Sequence, residues 1–267
     1  MNENFLFNNK FPVTVKKFEA GKSTSENITF ILLPAIGVPI KKYQNFIAEL
    51  NSYGFNVVTA DYPCCGENQP HIEKGKDYGY ADLVKDFVPH LISSADTKNI
   101  ILLGHSLGGH LATLYAIDKT IPVIGIATGN IHYKNWDGLG KLTILKAVGL
   151  FKILTNLYGY LPGYKIGFGV KEAKTLIKDW CHTALTGNYS YYLNNDSLSE
   201  AKAYFINIKG DDFAPLQSTK KLAEMFNNYK LESIDLGEDI KGNKHSSWLK
   251  DPQQIVKGIK TNIGELC

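Results

Sequence analysis

One serine stands where the sequence predicts a sharp turn from a strand into a helix. Residues 100–109 read Ile-Ile-Leu-Leu-Gly-His-Ser-Leu-Gly-Gly, so an apolar run leads into Gly104-x-Ser106-x-Gly108. A turn of this kind exposes the serine hydroxyl at the edge of a sheet, and side chains at the two glycine positions would collide with neighbouring backbone. The first N–H groups of the following helix point towards the serine, where they can stabilise negative charge. The pattern predicts a nucleophile at Ser106; the alternative is a serine that merely caps the helix.

A serine hydroxyl becomes a good nucleophile when a histidine accepts its proton and a carboxylate orients that histidine. The histidines that follow Ser106 are His110, His132, His182 and His245. His110 lies one helical turn beyond the serine and is expected to point away from it, while His132 and His182 fall in a segment that interrupts the core. His245 lies in a loop between the last predicted strand and the final helix, within reach of the serine. We predict that His245 is the base; the alternative is a surface loop histidine.

Two adjacent aspartates follow a predicted strand at residues 203–209, in the stretch Gly-Asp-Asp-Phe-Ala-Pro. Asp211 and Asp212 are both placed to accept a hydrogen bond from the imidazole, and an aspartate before a helix also caps a turn. Asp235 and Asp239 are closer to His245 in sequence but lie in or just after the preceding strand, so they are weaker candidates. The residues alone leave the choice between Asp211 and Asp212 open.

The elements that must position these groups alternate between strands and helices along most of the chain. Strands are predicted over residues 11–18, 28–33, 55–60, 100–103, 121–127, 203–208 and 231–236. Helices are predicted over residues 43–53, 80–91, 107–119, 216–229 and 253–263. This alternation predicts an α/β fold with a mostly parallel central sheet and helices on both faces, in which function resides beyond the carboxyl ends of the strands.

The stretch from residue 129 to 200 breaks the alternation and predicts an inserted helical cap or lid over a core made of residues 1–128 and 201–267. Its apolar run at 139–161 contains Lys141, Lys146 and Lys152, so we predict no transmembrane helix there. The alternative is extra packing over the sheet. If it is a cap, its large apolar side chains are candidates to bind substrate: Trp136, Leu150, Phe151, Leu154, Tyr158 and Trp180.

Composition excludes some classes of partner. The 267 residues carry a net charge of +3, and every basic residue besides histidine is lysine. Without arginine, bidentate recognition of phosphate or DNA bases is disfavoured, so nucleic acid is not an expected partner.

The cysteines and the N-terminus bear on the compartment. Cys64, Cys65, Cys181 and Cys267 show no metal-binding spacing, and adjacent Cys64 and Cys65 are unsuited to a disulfide with each other. Residues 1–10 are polar and show no secretory signal. We therefore predict a reduced, cytoplasmic location.

Taken together, these motifs resemble those of the α/β-hydrolases over nearly the whole chain. The resemblance is carried by the Gly-His-Ser-Leu-Gly-Gly turn, the Gly-Asp-Asp-Phe-Ala-Pro loop, His245 and residues 54–66, which are similar to the family's strand and Asp-x-Arg-Gly-x-Gly turn. The serine esterase, monoacylglycerol-lipase and serine-aminopeptidase-like branch is the most similar. The resemblance implies an α/β-hydrolase fold with an inserted helical cap, and it favours Asp211 over Asp212 because the family's aspartate stands four residues ahead of a proline.

The departures from the family's pattern concern two loops. Where many members have His-Gly after the first core strand, this chain has Leu-Pro-Ala-Ile-Gly-Val at 33–38. In this position the resemblance implies Ile36 as the second N–H donor of an oxyanion hole, with Leu107 as the first. The turn after Asp61 lacks the usual arginine and carries Cys64 and Cys65, which we assign to local packing.

The sequence thus predicts a serine hydrolase that cleaves a carboxylic ester, with a hydrophobic acyl or aromatic group, through a Ser106–His245–Asp211 triad and an acyl-enzyme. Such chemistry needs no metal or organic cofactor. Thioesterase, acyltransferase or peptidase activity with the same triad, and a non-catalytic ligand-binding protein, are the alternatives. The sequence does not determine the natural substrate or the oligomeric state.

Overall fold

Eight strands form one sheet in the computed structural model, which describes residues 3–21, 27–194, 197–237 and 240–266. Asp239 and Cys267 lie outside the described residues. In chain order the strands are β1 (Glu3–Phe7), β2 (Phe11–Phe18), β3 (Thr29–Leu33), β4 (Asn56–Thr59), β5 (Ile100–His105), β6 (Val123–Ile126), β7 (Ser199–Ile208) and β8 (Phe226–Ile234).

The order of the strands across the sheet is β1-β2-β4-β3-β5-β6-β7-β8. The two pairings that involve β2 are antiparallel, and all pairings from β4 to β8 are parallel. Strands β3 and β6 are buried along their whole length, as expected for strands covered on both faces. Strand β5 lies at the centre, so its carboxyl end faces loops from both halves of the sheet.

Helices cover both faces of the sheet, as the sequence predicts. In chain order they are α1 (Gln44–Ser52), α2 (Tyr80–Asp82), α3 (Val88–Ser93), α4 (Leu107–Ala116), α5 (Gly140–Tyr158), α6 (Lys174–Thr186), α7 (Leu216–Ala223), α8 (Lys244–Ser247) and α9 (Gln253–Leu266); a π-helical turn, Leu83–Phe87, joins α2 to α3. One apolar layer contains α1 and α9, and the opposite layer contains α2 to α4 and α7. Among the described residues, no helix has both the length and the apolar character needed to cross a membrane.

The chain between β6 and β7 carries α5 and α6, which pack against each other. A third apolar cluster joins them and includes Trp136, Ile144 and Phe151. A bridge between Leu161 and Glu172 closes the segment that connects the two helices. This part of the chain therefore has an apolar core of its own beside the sheet.

One predicted helix was wrong in its second part. The helix predicted over 216–229 ends at Ala223, and β8 begins at Phe226, before the strand predicted over 231–236. Strand β8 lies at the edge of the sheet, and most of its side chains are exposed or half-buried. An edge strand lacks the continuous apolar run of a buried parallel strand, so its polar start resembled the end of an amphipathic helix. Strand β1, an antiparallel edge strand, was not predicted.

Candidate active site

Ser106 lies in the one-residue turn between β5 and α4, with φ 53° and ψ −115°. Residues other than glycine rarely adopt a positive φ, so the surrounding structure must hold the backbone of Ser106 in this conformation. A Cβ on Gly104 would overlap the carbonyl of Gly108, and a Cβ on Gly108 would overlap the carbonyl of Leu33. Side chains at these two positions would therefore collide with backbone, as predicted. The absence of side chains on the two glycines lets α4 approach both β5 and β3 closely.

Asp211 and His245 form a hydrogen-bonded pair. Nδ1 of His245 lies 2.8 Å from Oδ2 of Asp211, whose side chain is completely buried. The other oxygen, Oδ1, accepts the backbone N–H of Phe213 at 2.8 Å. Because an ionised carboxylate is an acceptor, His245 donates from Nδ1, which leaves Nε2 of the neutral ring as an acceptor. This is the tautomer that a general base for a serine requires.

The other predicted carboxylates do not reach His245. Asp212 is exposed, and its backbone carbonyl accepts the indole N–H of Trp136 at 2.8 Å. Asp235 lies 3.9 Å from Nζ of Lys209 and its side chain is 64% exposed. Asp239 lies outside the described residues. Of the described candidates, the structure brings Asp211 alone to His245.

His110 is buried and fully engaged, but it also lines the cavity beside Ser106. Its Nε2 donates to the carbonyl of Gly129 at 2.7 Å, and its Nδ1 accepts the hydroxyl of Tyr80 at 3.1 Å. Burial lowers the pKa of His110 to about 4, so the ring is neutral at pH 7. His110 thus makes the hydrogen bonds expected of a satisfied helix residue.

His132 and His182 lie in the segment between β6 and β7. Nε2 of His182 makes local contacts, 2.9 Å from Oδ1 of Asn188 and 3.0 Å from Oγ of Ser190. Burial lowers the pKa of His132. Neither histidine lines the cavity beside Ser106.

A cavity of about 190 Å³ opens beside Ser106, and His245 lines it as well. Of the substrate-binding residues predicted from the sequence, Trp136 and Trp180 line it. Further apolar lining comes from residues that the sequence analysis did not assign: Ile131, Ile144, Phe168, Phe213 and Ala214. The described lining contains no aspartate or glutamate.

Four predicted substrate-binding residues do not line this cavity: Leu150, Phe151, Leu154 and Tyr158. All four lie on α5, whose buried face is formed by Ile144, Val148, Phe151 and Thr155. Leu150 is 43% exposed, and Phe151 packs behind the lining against Phe168 and Trp180. The apolar composition of 139–161 could not show which face of the helix meets the cavity.

The two predicted oxyanion donors also border the cavity. Leu107 is the first residue of α4, so its N–H has no carbonyl partner within the helix. Ile36, in the loop after β3, lines the cavity as well. Hydrogen bonds hold both polar atoms of the peptide group between Pro34 and Ala35. The hydroxyl of Tyr62 donates to Pro34 O at 2.7 Å, and Ala35 N–H donates to the hydroxyl of Tyr43 at 2.7 Å.

A second cavity, of about 260 Å³, also borders the loop after β3 and shares Ala35 and Val38 with the first. Glu172 lines it and is 2% exposed, and burial raises the pKa of its carboxyl to about 8. Cys65 is a free thiol there, with a pKa raised well above its usual value by burial. Cys65 is therefore a poor nucleophile at neutral pH. In the described ranges, no three His, Cys, Asp or Glu side chains are grouped to hold a metal ion.

Known proteins resemble this chain in sequence and in fold. A putative esterase/lipase from Mycoplasma genitalium is 30% identical over 123 residues, which are 46% of this chain and 41% of that protein. The structure of an esterase from Exiguobacterium antarcticum superposes with a TM-score of 0.66 at 12% identity, over 99% of this chain and all of the other. A monoglyceride lipase from Saccharomyces cerevisiae gives a TM-score of 0.68 at 16% identity, over 97% of this chain and 94% of the lipase.

The fold neighbours have different activities. A proline iminopeptidase from Mycobacterium smegmatis superposes with a TM-score of 0.64 at 12% identity, over 99% of this chain and 98% of the other. Neighbours this distant in sequence establish the fold and leave the substrate open. A sequence model of the alpha/beta hydrolase family matches residues 30–256, which include the serine turn, Asp211 and His245. The chain therefore belongs to the alpha/beta hydrolase family.

Proposed function

We propose that this protein is a serine hydrolase that cleaves small carboxylic esters with a hydrophobic acyl or aromatic group. The observation that carries the proposal is the 2.8 Å hydrogen bond between Asp211 and His245 at a cavity whose wall also holds the strained Ser106. A protein that only binds a ligand has no need of a base with its orienting carboxylate beside a serine in such a turn.

In the first half of the reaction, the hydroxyl oxygen of Ser106 attacks the ester carbonyl carbon. Nε2 of His245 takes the hydroxyl proton, and the Asp211 carboxylate stabilises the imidazolium through Nδ1–H. The carbonyl oxygen becomes an anion between the N–H groups of Leu107 and Ile36. His245 then gives its proton to the alcohol oxygen as the C–O bond breaks, and the acyl group remains on Ser106.

In the second half, water replaces the alcohol. His245 removes a proton from the water as its oxygen attacks the acyl carbon, and it returns that proton to Oγ of Ser106 as the acid leaves. The same two N–H groups stabilise the second oxyanion. The cycle consumes one water and regenerates the serine without any added cofactor.

The cavity supports the substrate class. Its lining is mainly apolar, and its volume of about 190 Å³ suits an acyl chain of intermediate length. In this proposal residues 1–128 and 201–267 form the catalytic core, and residues 129–200 form a cap that contributes Trp136, Phe168 and Trp180 to the acyl pocket. A peptidase that binds a free amino terminus needs an anionic partner for it. Among the described residues, neither aspartate nor glutamate lines the cavity, which favours an ester.

Labelling with a fluorophosphonate tests the proposed chemistry directly. The wild type should be labelled on Ser106, and Ser106→Ala should abolish both the labelling and the hydrolysis of nitrophenyl esters. The matched control is Ser93→Ala, because Ser93 is exposed on α3, and it should behave as the wild type does. A folded wild type that is not labelled would support a binding protein instead.

A chain-length series of nitrophenyl esters tests the substrate class. We expect the highest kcat/KM for acyl chains of intermediate length, since the apolar pocket favours burial of methylene groups until it is full. A preference for the acetyl ester would contradict the proposed hydrophobic acyl group. Parallel assays with acyl thioesters and aminoacyl amides separate the thioesterase and peptidase alternatives.

A further inference from the structure

The residue before the serine, His105, is buried and makes contacts that the proposed reaction does not use. It is 1% exposed at the end of β5, on the face of the sheet that packs against α1 and α9. Its ring lies 5.0 Å from that of Trp248 and 5.2 Å from that of His245, measured between centroids. A polar ring in this apolar layer must have hydrogen-bond partners.

Both ring nitrogens of His105 have such partners, and the partners belong to distant parts of the sequence. Nε2 is 2.9 Å from the backbone carbonyl oxygen of His245, and Nδ1 is 2.8 Å from the hydroxyl of Tyr43. A carbonyl oxygen only accepts, so Nε2 carries the proton and donates it. Burial lowers the pKa of His105 well below its usual value, which keeps the ring neutral and makes Nδ1 an acceptor for the tyrosine proton.

The hydrogen bonds continue beyond Tyr43 to the loop after β3. The tyrosine oxygen accepts the N–H of Ala35, the residue before the proposed oxyanion donor Ile36. At the other end, the His245 carbonyl also accepts the indole N–H of Trp248 at 3.0 Å. One continuous chain therefore runs from Ala35 N–H through Tyr43 and His105 to the backbone of His245.

We propose that His105 is a positioning residue that holds the backbone of His245 and the oxyanion loop in register on the two sides of Ser106. This inference rests on the proposed hydrolase function and adds a specific task for a side chain next to the nucleophile. His245 lies in the short helix α8, at an intermediate level of exposure, so its own helix contributes little to its position. The hydrogen bond from His105 anchors its backbone to the rigid central strand.

The alternative is that His105 only fills space in the apolar layer. In that case a side chain of similar volume should preserve the reaction once the protein is folded. Positioning instead requires the Nε2–H donor, because the bond to His245 is made by that atom. Phenylalanine keeps the ring and loses the donor, whereas the amide nitrogen of glutamine can take the place of Nε2–H.

The test compares His105→Phe with His105→Gln by the rate of fluorophosphonate labelling of Ser106 and by kcat and KM for a nitrophenyl ester. We expect His105→Phe to lower the labelling rate and kcat about 10- to 100-fold with KM nearly unchanged, since small displacements of a catalytic group have effects of this size. His105→Gln should recover most of the rate.

Tyr43→Phe tests the part of the hydrogen-bond chain between His105 and Ala35, and it keeps an aromatic ring at position 43. It removes the hydroxyl between Ala35 and His105 and should lower kcat while leaving a folded protein. The matched control is Tyr189→Phe, because the Tyr189 hydroxyl is buried and has no hydrogen-bond partner among the described residues. That control should keep the wild-type kcat. If His105→Phe does not fold, the glutamine and tyrosine variants decide the question.

Labelling of His105→Phe at the wild-type rate, with an unchanged kcat, would overturn this inference alone. Equal losses in His105→Phe and His105→Gln, together with a wild-type rate in Tyr43→Phe, would also overturn it. A folded wild type that is not labelled would overturn the proposed function and this inference with it.

Discussion

The backbones of Gly37, in the loop after β3, and Gly169, in the segment between α5 and α6, pack directly against each other. A Cβ on Gly37 would overlap the Cα of Gly169, and a Cβ on Gly169 would stand 3.0 Å from the Cα of Gly37 and 2.5 Å from Oε1 of Glu172. Gly169 lines the cavity beside Ser106, and so does Ile36, the neighbour of Gly37. The position of the proposed oxyanion loop therefore depends on the segment between the two helices, through a contact that only glycines permit.

Gly169→Ala should impair the reaction more than it impairs folding. The added methyl group overlaps Oε1 of Glu172 and presses against the Cα of Gly37. This displaces the neighbouring N–H of Ile36, and we expect kcat to fall by up to about 100-fold. Gly167→Ala is a matched control because Gly167 has the same φ of 69° and nothing within 4 Å of its Cβ position. Both variants should lose about 1 kcal/mol of stability from the backbone strain. Equal kcat values for the two variants would contradict the proposed role of the contact.

Asp211→Asn should lower kcat by about 10⁴-fold. An amide can donate its N–H to the imidazole, which then presents the wrong tautomer to Ser106. The matched control is Asp212→Asn at the exposed neighbouring position, which should stay within about twofold of the wild type. Steady-state kinetics with a nitrophenyl ester measures both variants. A larger loss in the Asp212 variant would exchange the roles of the two aspartates.

The buried parts of the fold could be predicted from the sequence because their patterns are strong. Strands β3 and β5 are apolar runs, and the Gly-x-Ser-x-Gly turn follows β5 directly. The order of Ser106, the aspartates and His245 along the chain predicted which groups meet at the carboxyl ends of the strands. The structure does bring Asp211 and His245 into contact.

Composition could not predict which apolar side chains of the segment between β6 and β7 line the cavity. Leu150 and Trp180 are both large and apolar, and the direction each one faces is fixed by the packing of α5 against α6. No role for His105 in the serine turn could be predicted, because the partners of its ring lie 62 and 140 residues away in sequence. A polar ring at the end of a buried strand could have indicated that His105 makes specific hydrogen bonds.

The buried carboxyl of Glu172 should make stability depend on pH. Burial raises its pKa to about 8, so the folded protein keeps this proton at a pH where the unfolded chain, near its usual pKa of 4.5, has lost it. The contribution of Glu172 to stability therefore falls as the pH rises from 5 to 8, on the order of 3 kcal/mol in total. Cys65 and Tyr78 face this carboxyl and stay neutral in that range because burial raises their pKa values.

The lowered pKa values of the buried His105 and His110 make stability rise with pH, which opposes the effect of Glu172 in the wild type. Because both histidines are also present in Glu172→Gln, the difference in stability between the variant and the wild type isolates the effect of Glu172. The stability of the variant minus that of the wild type should grow by on the order of 3 kcal/mol between pH 5 and pH 8. Urea unfolding at several pH values measures the difference. The exposed Glu19→Gln is the control and should show a constant difference. A constant difference for Glu172→Gln would mean that the carboxyl is ionised throughout.

Trp180→Leu should change which esters the protein prefers. Trp180 lines the cavity and packs against Phe151 and Phe168, with ring centroids 5.3 and 6.4 Å apart. A smaller side chain lengthens the apolar pocket, so kcat/KM should shift towards longer or bulkier acyl groups by about tenfold relative to the wild type. Leu150→Ala on the exposed face of α5 is the control and should leave the chain-length profile unchanged. A shift in the Leu150 variant without one in the Trp180 variant would place the acyl group on the opposite face of α5.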